Sequence, residues 1–326
     1  MNKDNKPIVS ICCLVYNHEP YLRDCFDGFI KQKTSFPIEI LVHDDASTDH
    51  SADIIREYTA KYPNLFKPIY QEENQFSKGV KISFEYQFPR ALGKYIAMCE
   101  GDDFWTDPNK LQLQVDWLEA HPEYSMCFHR AELKFEKKNL HTDAVCEDIQ
   151  DKDYSSDELF NQWMVPTASI VMRRECAFYP IKGRGRIRFG DHFMVFSCMA
   201  LGKVRGFSRS MSVYRVNPSS ITKNPAQQKE NILKMPENWE CFKENFPFVN
   251  QKSVNKLIAF HYWQRAKIQS TMKMAFLDRK TAFAYSPVLT CLLIFRPLVL
   301  IEKKILSKYF GEKQMTKIIA KIVSHL

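Results

Sequence analysis

The chain has 326 residues, of which 45% are hydrophobic and 26% are charged, and its formal net charge at pH 7 is +8. These proportions are typical of a folded globular protein and exclude a chain that is disordered over most of its length. The length allows one large domain, or one domain with a substantial appendage.

Ten cysteines are scattered between Cys12 and Cys291 with no C-x-x-C pair, which argues against a disulfide framework and against a structural zinc site. Several lie in apolar, strand-like runs, so we expect buried free thiols in a reducing compartment. The first six residues are polar, and the apolar run after them is interrupted. We therefore expect no signal peptide and a cytoplasmic protein.

The first hundred residues alternate strand-like and helical patterns. Strands are predicted at 8–15, 38–43, 66–71 and 95–99, and helices at 19–31, 51–61 and 81–92. This alternation predicts an α/β fold with a mostly parallel central sheet flanked by helices. In such sheets ligands bind beyond the carboxyl ends of the strands.

Polar clusters follow three of these strands at their carboxyl ends. We expect the clusters to meet at one edge of the sheet, where a ligand would bind. The acids after the second strand have a second interpretation, because they precede a helix that they can cap. The clusters are Tyr16-Asn17, Asp44-Asp45 and Glu100 to Asp103.

The third cluster places the carboxylates of Glu100, Asp102 and Asp103 within four residues. Their mutual repulsion raises their proton affinity unless a cation neutralises it. Oxygen ligands in a compact turn suit Mn²⁺ or Mg²⁺, which would leave positions open for phosphate oxygens. Gly101 is expected to allow the tight turn. A solvated acidic turn is the alternative, but the position after a buried strand and before two aromatic residues favours a metal site.

Beyond residue 105 the pattern predicts helices at 108–121 and 193–201 and strands at 125–135 and 204–216. From residue 223 the pattern is helical to the end. We therefore expect a main domain over residues 1–222 and a helical C-terminal appendage over residues 223–326. The main domain would comprise a nucleotide-binding half, about residues 1–105, and an acceptor-binding half, about residues 106–222.

Four segments in this order resemble glycosyltransferase family 2, over about residues 7–222. The resemblance implies an inverting enzyme with a GT-A fold, which is Rossmann-like, of the kind found in bacterial surface-polysaccharide pathways. The segments are Pro7 to Ile11 with Tyr16-Asn17, Asp44 to Asp49, Tyr95 to Ala97, and Glu100 to Trp105.

The resemblance also implies donor-binding roles. Tyr16 and Asp45 match residues that contact the nucleotide base, commonly uracil, so a UDP-sugar is the expected donor. Asp102 and Asp103 match the acids that hold the ribose and the metal-bound diphosphate. Glu100 stands at the first place of the D-x-D-like motif and is the third expected metal ligand.

Asp191 matches the catalytic base of the family. It would take a proton from an acceptor hydroxyl while that oxygen attacks the anomeric carbon of the sugar. From spacing alone a helix N-cap is an equally good interpretation of Asp191. Asn217 stands where the family often has a histidine that helps to bind the metal, and we do not count it as a ligand.

The C-terminal tail combines apolar and basic residues. Its apolar run, 287–301, is interrupted by Arg296-Pro297 and is shorter than the roughly 20 residues that a membrane-spanning helix needs. We expect peripheral contact with the inner face of the cytoplasmic membrane through residues 286–326, which would suit a lipid-linked saccharide acceptor. A helix packed on the main domain is the alternative. No nucleic-acid recognition motif accompanies the charge, so we expect no nucleic-acid partner.

Two other functions stay open. A sugar nucleotidyltransferase also uses a parallel sheet and Mg²⁺, but it needs a glycine-rich basic loop after the first strand, where this chain has Tyr16 to Glu19. A non-catalytic nucleotide-sugar-binding protein is disfavoured by the presence of Asp102, Asp103 and Asp191.

Overall fold

The computed structural model describes residues 6–138, 140, 142, 146–217, 225–291 and 293. The chain divides into two compact units. The first comprises residues 1–227 and 244–249, and the second comprises residues 228–243 and 250–326.

The first unit is built on an eight-stranded sheet. Its strands are β1 (Val9–Val15), β2 (Ile38–Asp44), β3 (Phe66–Tyr70), β4 (Tyr95–Met98), β5 (Phe104–Trp105), β6 (Tyr124–Phe135), β7 (Val171–Arg173) and β8 (Lys203–Val216). Their spatial order is β3-β2-β1-β4-β7-β6-β8-β5. The pairs among β1 to β4 and the pair β6–β8 are parallel, whereas β7 and β5 pair antiparallel with their neighbours. The predicted α/β fold with a mostly parallel sheet is confirmed.

Six α-helices of the first unit flank this sheet or connect its strands. The helix predicted over 81–92 is instead a π-helical turn, Ser83–Gln87, followed by a single α-turn. Pro89 lies in that α-turn and donates no backbone hydrogen bond, so a regular helix cannot run through it. The helices are α1 (Leu22–Ile30), α2 (Ser51–Lys61), α3 (Phe88–Arg90), α4 (Lys110–Ala120), α5 (Ser156–Asn161) and α6 (Gly190–Leu201).

Helix α1 shows how the sequence builds the core beneath the strand ends. Leu22, Phe26 and Phe29 repeat at helical spacing and are fully buried. The Phe29 ring packs edge-on against Trp105 of β5, with centroids 4.7 Å apart. Gly28 permits this approach, because a Cβ atom there would lie 2.8 Å from the Trp105 carbonyl oxygen. Each such aromatic or aliphatic side chain contributes about 1.5–3 kcal/mol by its burial.

The second unit is helical over the described residues. Its helices are the 228–243 part of α7 (Pro225–Asn245), α8 (Gln251–Ile268) and α9 (Met272–Tyr285). Arg265 of α8 joins them, because its guanidinium bonds Asp278 of α9 and Glu237 of α7. Within the described part of the chain, every helix is too short or too polar to span a bilayer. Most of the tail predicted to contact a membrane lies outside the described residues, which include only 286–291 and 293 of it.

Candidate active site

The loops after β1 and β2 are joined by hydrogen bonds at the carboxyl ends of their strands. The Asn17 side-chain oxygen accepts from the Thr48 amide at 2.7 Å, and the Asn17 amide donates to Ser47 Oγ at 3.0 Å. Asn17 and Ala46 both have positive φ values, 55° and 60°, which non-glycine residues rarely adopt. Such a backbone conformation persists where surrounding contacts impose it. Here the hydrogen bonds between the two loops supply those contacts.

Asp49, in the same loop after β2, forms hydrogen bonds with both loops. Its Oδ1 accepts from the Ser51 amide at 2.9 Å at the start of α2, and its Oδ2 accepts from the Glu19 amide at 3.0 Å. The acid therefore satisfies a free amide of the helix and also fastens the loop after β1.

Asp45 is 3% exposed, and both oxygens of its carboxylate accept hydrogen bonds from backbone amides. Oδ1 accepts from the Gln75 amide at 2.7 Å, and Oδ2 accepts from the Phe76 amide at 3.0 Å. Burial raises its pKa, but the His43 ring and these two amides outweigh burial and lower the pKa. Asp45 thus anchors the segment that follows β3. Tyr16, which is 36% exposed, follows β1 directly, and β1 pairs with β2 so that Val15 lies opposite Asp44.

The acidic turn is held against the end of β1. The Gly101 amide donates to the Leu14 carbonyl at 2.9 Å. Gly101 is required by close approach, since a Cβ there would lie 2.7 Å from His18 Nδ1. The expected tight turn is present, since the Asp103 amide donates to the Glu100 carbonyl at 3.1 Å. The φ of Gly101 does not lie in the left-handed region, so glycine is favoured there by close packing against the loop after β1.

Asp102 lies between the ends of β1 and β8. Its Oδ2 accepts from the side-chain amide of Asn217 at 2.9 Å and lies 3.9 Å from His18 Nε2. The Asp102 side chain is 20% exposed. Asn217 is thus next to the acidic turn, at the position where the family resemblance places a histidine.

Asp103 points away from solvent, toward β8. It is 1% exposed, and its Oδ1 accepts from the Arg215 amide at 2.8 Å. Its Oδ2 has no hydrogen-bond partner among the described residues. Burial, followed by the Asp102 charge, raises the pKa of Asp103 well above its usual value. The Arg215 side chain beside it pairs with Asp24 and Glu136. Asp103 therefore ties the acidic turn to β8.

Glu100 connects the acidic turn with the predicted base. Burial, followed by the negative charges of Asp102 and Asp191, raises its pKa from 4.5 to about 8. The structure therefore brings Glu100, Asp102 and Asp191 into one electrostatic group, although Asp191 is distant in sequence. A bound cation or bound protons must neutralise the excess negative charge of such a group.

Asp191 lies in the first turn of α6, whose N-cap is Phe189, so the N-cap interpretation of Asp191 is wrong. Its Oδ1 accepts from the His192 amide at 2.9 Å and lies 3.4 Å from the ring Nδ1 of His192. Burial raises its pKa, but the His192 ring outweighs burial and lowers the pKa, which favours the ionised carboxylate. The side chain of Asp191 is 33% exposed and thus open to a ligand.

The His192 ring stacks on Trp163, with centroids 3.8 Å apart and planes 19° apart. Stacking on the indole restricts the ring that lies beside Asp191. This pair was not predicted from the sequence. The adjacency of His192 to Asp191 was visible, but nothing in the sequence links Trp163 to either residue.

The predicted metal cluster is only partly assembled. Within the described ranges, no three His, Cys, Asp or Glu side chains converge closely enough to hold a metal ion. Glu100 and Asp102 are half-buried, whereas Asp103 is fully buried against β8.

The family model described as glycosyl transferase family 2 matches residues 10–205. An uncharacterized protein of Mycobacterium tuberculosis is 37% identical over 213 residues, which cover 65% of this chain and 60% of the relative. An uncharacterized glycosyltransferase of Nostoc sp. is 28% identical over 214 residues, or 64% of this chain and 65% of that protein. The chain thus spans less than two thirds of the length of these relatives.

Two solved structures share the fold. TarS 1–349 of S. aureus in complex with UDP-GlcNAc has a TM-score of 0.53 and 13% identity, covering 87% of this chain and 91% of that chain. The mannosyltransferase PcManGT from Pyrobaculum calidifontis, in complex with GDP-Man and Mn²⁺, has a TM-score of 0.52 and 15% identity. The match covers 97% of this chain and 84% of that chain. At this identity the likeness establishes the fold, which confirms the GT-A architecture.

Proposed function

Since the chain belongs to glycosyl transferase family 2, we propose that it is an inverting glycosyltransferase. It transfers a sugar from a nucleotide-sugar to a hydroxyl group of a saccharide or lipid-linked saccharide. The observation that carries this proposal is that the charges of Asp102 and Asp191 both raise the pKa of Glu100, which supports a base and a diphosphate site that share one electrostatic environment. A nucleotide-binding protein without activity has no need for an ionised carboxylate there.

We propose a UDP-sugar as the donor. Tyr16 is exposed at the end of β1, where its ring can stack on a base, and Asp45 organises the loop beside it. Because both oxygens of Asp45 already accept backbone amides, a direct contact of this carboxylate with uracil would use its remaining lone pairs. The solved relatives hold UDP-GlcNAc in one case and GDP-Man in the other, so the fold accommodates both bases.

The acidic turn fits a divalent cation in part. Burial and like charge raise the pKa of Glu100 to about 8, which means that the ionised group lacks a neutralising partner. Asp102 and Glu100 would hold Mn²⁺ or Mg²⁺ through oxygen atoms, the ligands such cations prefer. Asp103 fits less well as a direct ligand, because it is 1% exposed and one oxygen accepts the Arg215 amide. When bound, the cation would offset charge on the departing diphosphate.

Asp191 performs the proton transfer in the proposed mechanism. The acceptor hydroxyl loses its proton to the Asp191 carboxylate as its oxygen attacks the anomeric carbon from the face opposite the diphosphate. The His192 ring keeps this carboxylate ionised and oriented. A carboxylate is a weak base for a free alcohol, but it suffices when the attacking oxygen is positioned and already losing its proton.

The proposal is tested with Asp191→Asn. Donor binding by titration calorimetry should change little, while transfer should fall by about 10²–10⁴-fold because the general base is lost. Asp53→Asn, which removes an acid from the first turn of α2, is the matched control and should retain full transfer.

Unchanged transfer by Asp191→Asn would overturn the assignment of the base. Donor binding without any release of nucleotide diphosphate by the wild-type chain, across UDP-, GDP- and dTDP-sugars with Mn²⁺, would favour a non-catalytic binding protein. Formation of a nucleotide-sugar from a nucleoside triphosphate and a sugar phosphate would favour the nucleotidyltransferase.

We further propose that the enzyme works in the cytoplasm in surface-polysaccharide synthesis. The nucleotide-binding half would lie at about residues 1–105 and the acceptor-binding half at about residues 106–222. A lipid-linked acceptor would bring the chain to the inner face of the cytoplasmic membrane. Contact through residues 286–326 stays a prediction, supported by their apolar and basic sequence.

A further inference from the structure

Helix α9 of the second unit exposes much apolar surface. The exposed fractions are 91% for Met272, 70% for Phe276, 60% for Leu277 and 49% for Phe283. Scattered single apolar residues are normal on a protein surface, but a contiguous group of large ones marks an interaction site.

The spacing of these residues places them on one side of the helix. Met272, Phe276 and Phe283 are separated by four and seven residues, so they form one stripe along α9. Lys273 and Lys280, both exposed and seven residues apart, form the neighbouring stripe. We call this surface the α9 face; it comprises Met272, Lys273, Phe276, Leu277, Lys280 and Phe283.

The α9 face carries positive charge that no exposed acid of the helix offsets. Asp278 is the only acid in the α9 sequence, and it is 4% exposed. Its carboxylate accepts from Arg265 at 2.8 and 3.1 Å and from Gln269 at 2.8 Å, so it points into the unit. The outward side therefore presents aromatic and aliphatic side chains flanked by lysines.

We propose that the α9 face docks on an anionic lipid surface. Phe276 and Phe283 would enter the boundary between headgroups and acyl chains, while Lys273 and Lys280 would contact the phosphates. Charge complementarity selects this occupant. The sequence that follows α9 is also basic, since residues 286–326 contain seven Lys or Arg and only two acids. The proposal rests on α9 and does not depend on the transferase activity.

The test measures co-sedimentation of the full chain with lipid vesicles. We expect binding to phosphatidylcholine vesicles that contain about 30% phosphatidylglycerol, and binding at least about tenfold weaker to pure phosphatidylcholine or at high salt. Phe276→Ser with Phe283→Ser should weaken binding to the anionic vesicles about tenfold or more, because two apolar anchors are lost.

Two further variants sharpen the test. Lys273→Gln with Lys280→Gln should lower binding to anionic vesicles and leave the weak binding to neutral ones unchanged. The matched control is Phe135→Ser with Phe178→Ser, which removes two rings of similar exposure, 45% and 48%, from the first unit. This control should bind as the wild type does.

Hydrogen exchange separates α9 from the tail that follows it. Amides of residues 272–285 should exchange more slowly when vesicles are present. Absence of binding by the wild-type chain, or equal binding by the Phe276→Ser/Phe283→Ser variant, would overturn the proposal. Self-association that this variant abolishes, with no vesicle binding, would also overturn it and identify a second copy of the chain as the occupant.

Discussion

Glu100 should make cation binding strongly dependent on pH. In the cation-free protein burial and, to a smaller extent, the charges of Asp102 and Asp191 together raise its pKa to about 8. A divalent cation needs the ionised carboxylate, so it must displace the proton that Glu100 holds at lower pH. The ionised fraction rises from about 1% at pH 6 to about one half at pH 8, which predicts a gain in Mn²⁺ affinity of roughly 50-fold across this range.

The assay is calorimetric titration of the wild-type chain and Glu100→Gln with Mn²⁺ at pH 6 and pH 8. The variant should bind more weakly at pH 8 and should lose most of the gain with pH, because glutamine has no proton to release. Glu119→Gln, which removes a surface acid paired with Lys94, is the control and should keep the wild-type dependence. A wild-type affinity that is flat between pH 6 and pH 8, or a Glu100→Gln variant with the wild-type slope, would refute the reasoning.

Two further predictions concern Lys110 and His192. Lys110 is fully buried, its Nζ lies 4.2 Å from the centroid of the Trp105 ring, and burial lowers its pKa from 10.5 to about 7. The Lys110 side chain therefore keeps its proton up to a higher pH in the unfolded chain than in the folded chain. As a result, the free energy of unfolding of the wild type decreases as the pH falls from 10.5 to 7. Lys110→Met should raise the free energy of unfolding by on the order of 3–5 kcal/mol at pH 7 and by clearly less at pH 9.5 in urea denaturation; an equal difference at both pH values would contradict this. His192→Phe keeps the stack on Trp163 but removes the ring nitrogen beside Asp191, so the pKa of Asp191 should rise and the acid limb of kcat/KM for transfer should move to higher pH. If that limb stays in place, the ring does not tune the base.

Several features of the site were predictable from sequence because they depend on local order along the chain. A polar cluster after an apolar strand lies at a strand end in any parallel sheet, which is why Asn17 and Asp45 could be placed near the ligand-binding edge. The ordered motifs identified the family, which the family comparison confirms. Helix α2 was predicted with the bounds that the structure shows, 51–61.

The direction in which each acid points could not be predicted. Glu100, Asp102 and Asp103 lie within four residues of one another, yet Asp103 faces β8 and accepts the Arg215 amide while Asp102 accepts from Asn217. These partners lie in β8 and directly after it, more than a hundred residues away, so local sequence order does not indicate which carboxylate meets which partner. The pairing of His192 with Trp163 has the same origin, because stacking across a fold has no period in the sequence.

The sequence by itself thus determined the family, the α/β order and the residue types of the site, since these follow from periodicity and from motif order. Only the tertiary structure decided that Glu100, Asp102 and Asp191 form one electrostatic group and that Asp103 holds the turn to the sheet. Charge interactions depend on distance and burial, and both arise only when distant segments pack together.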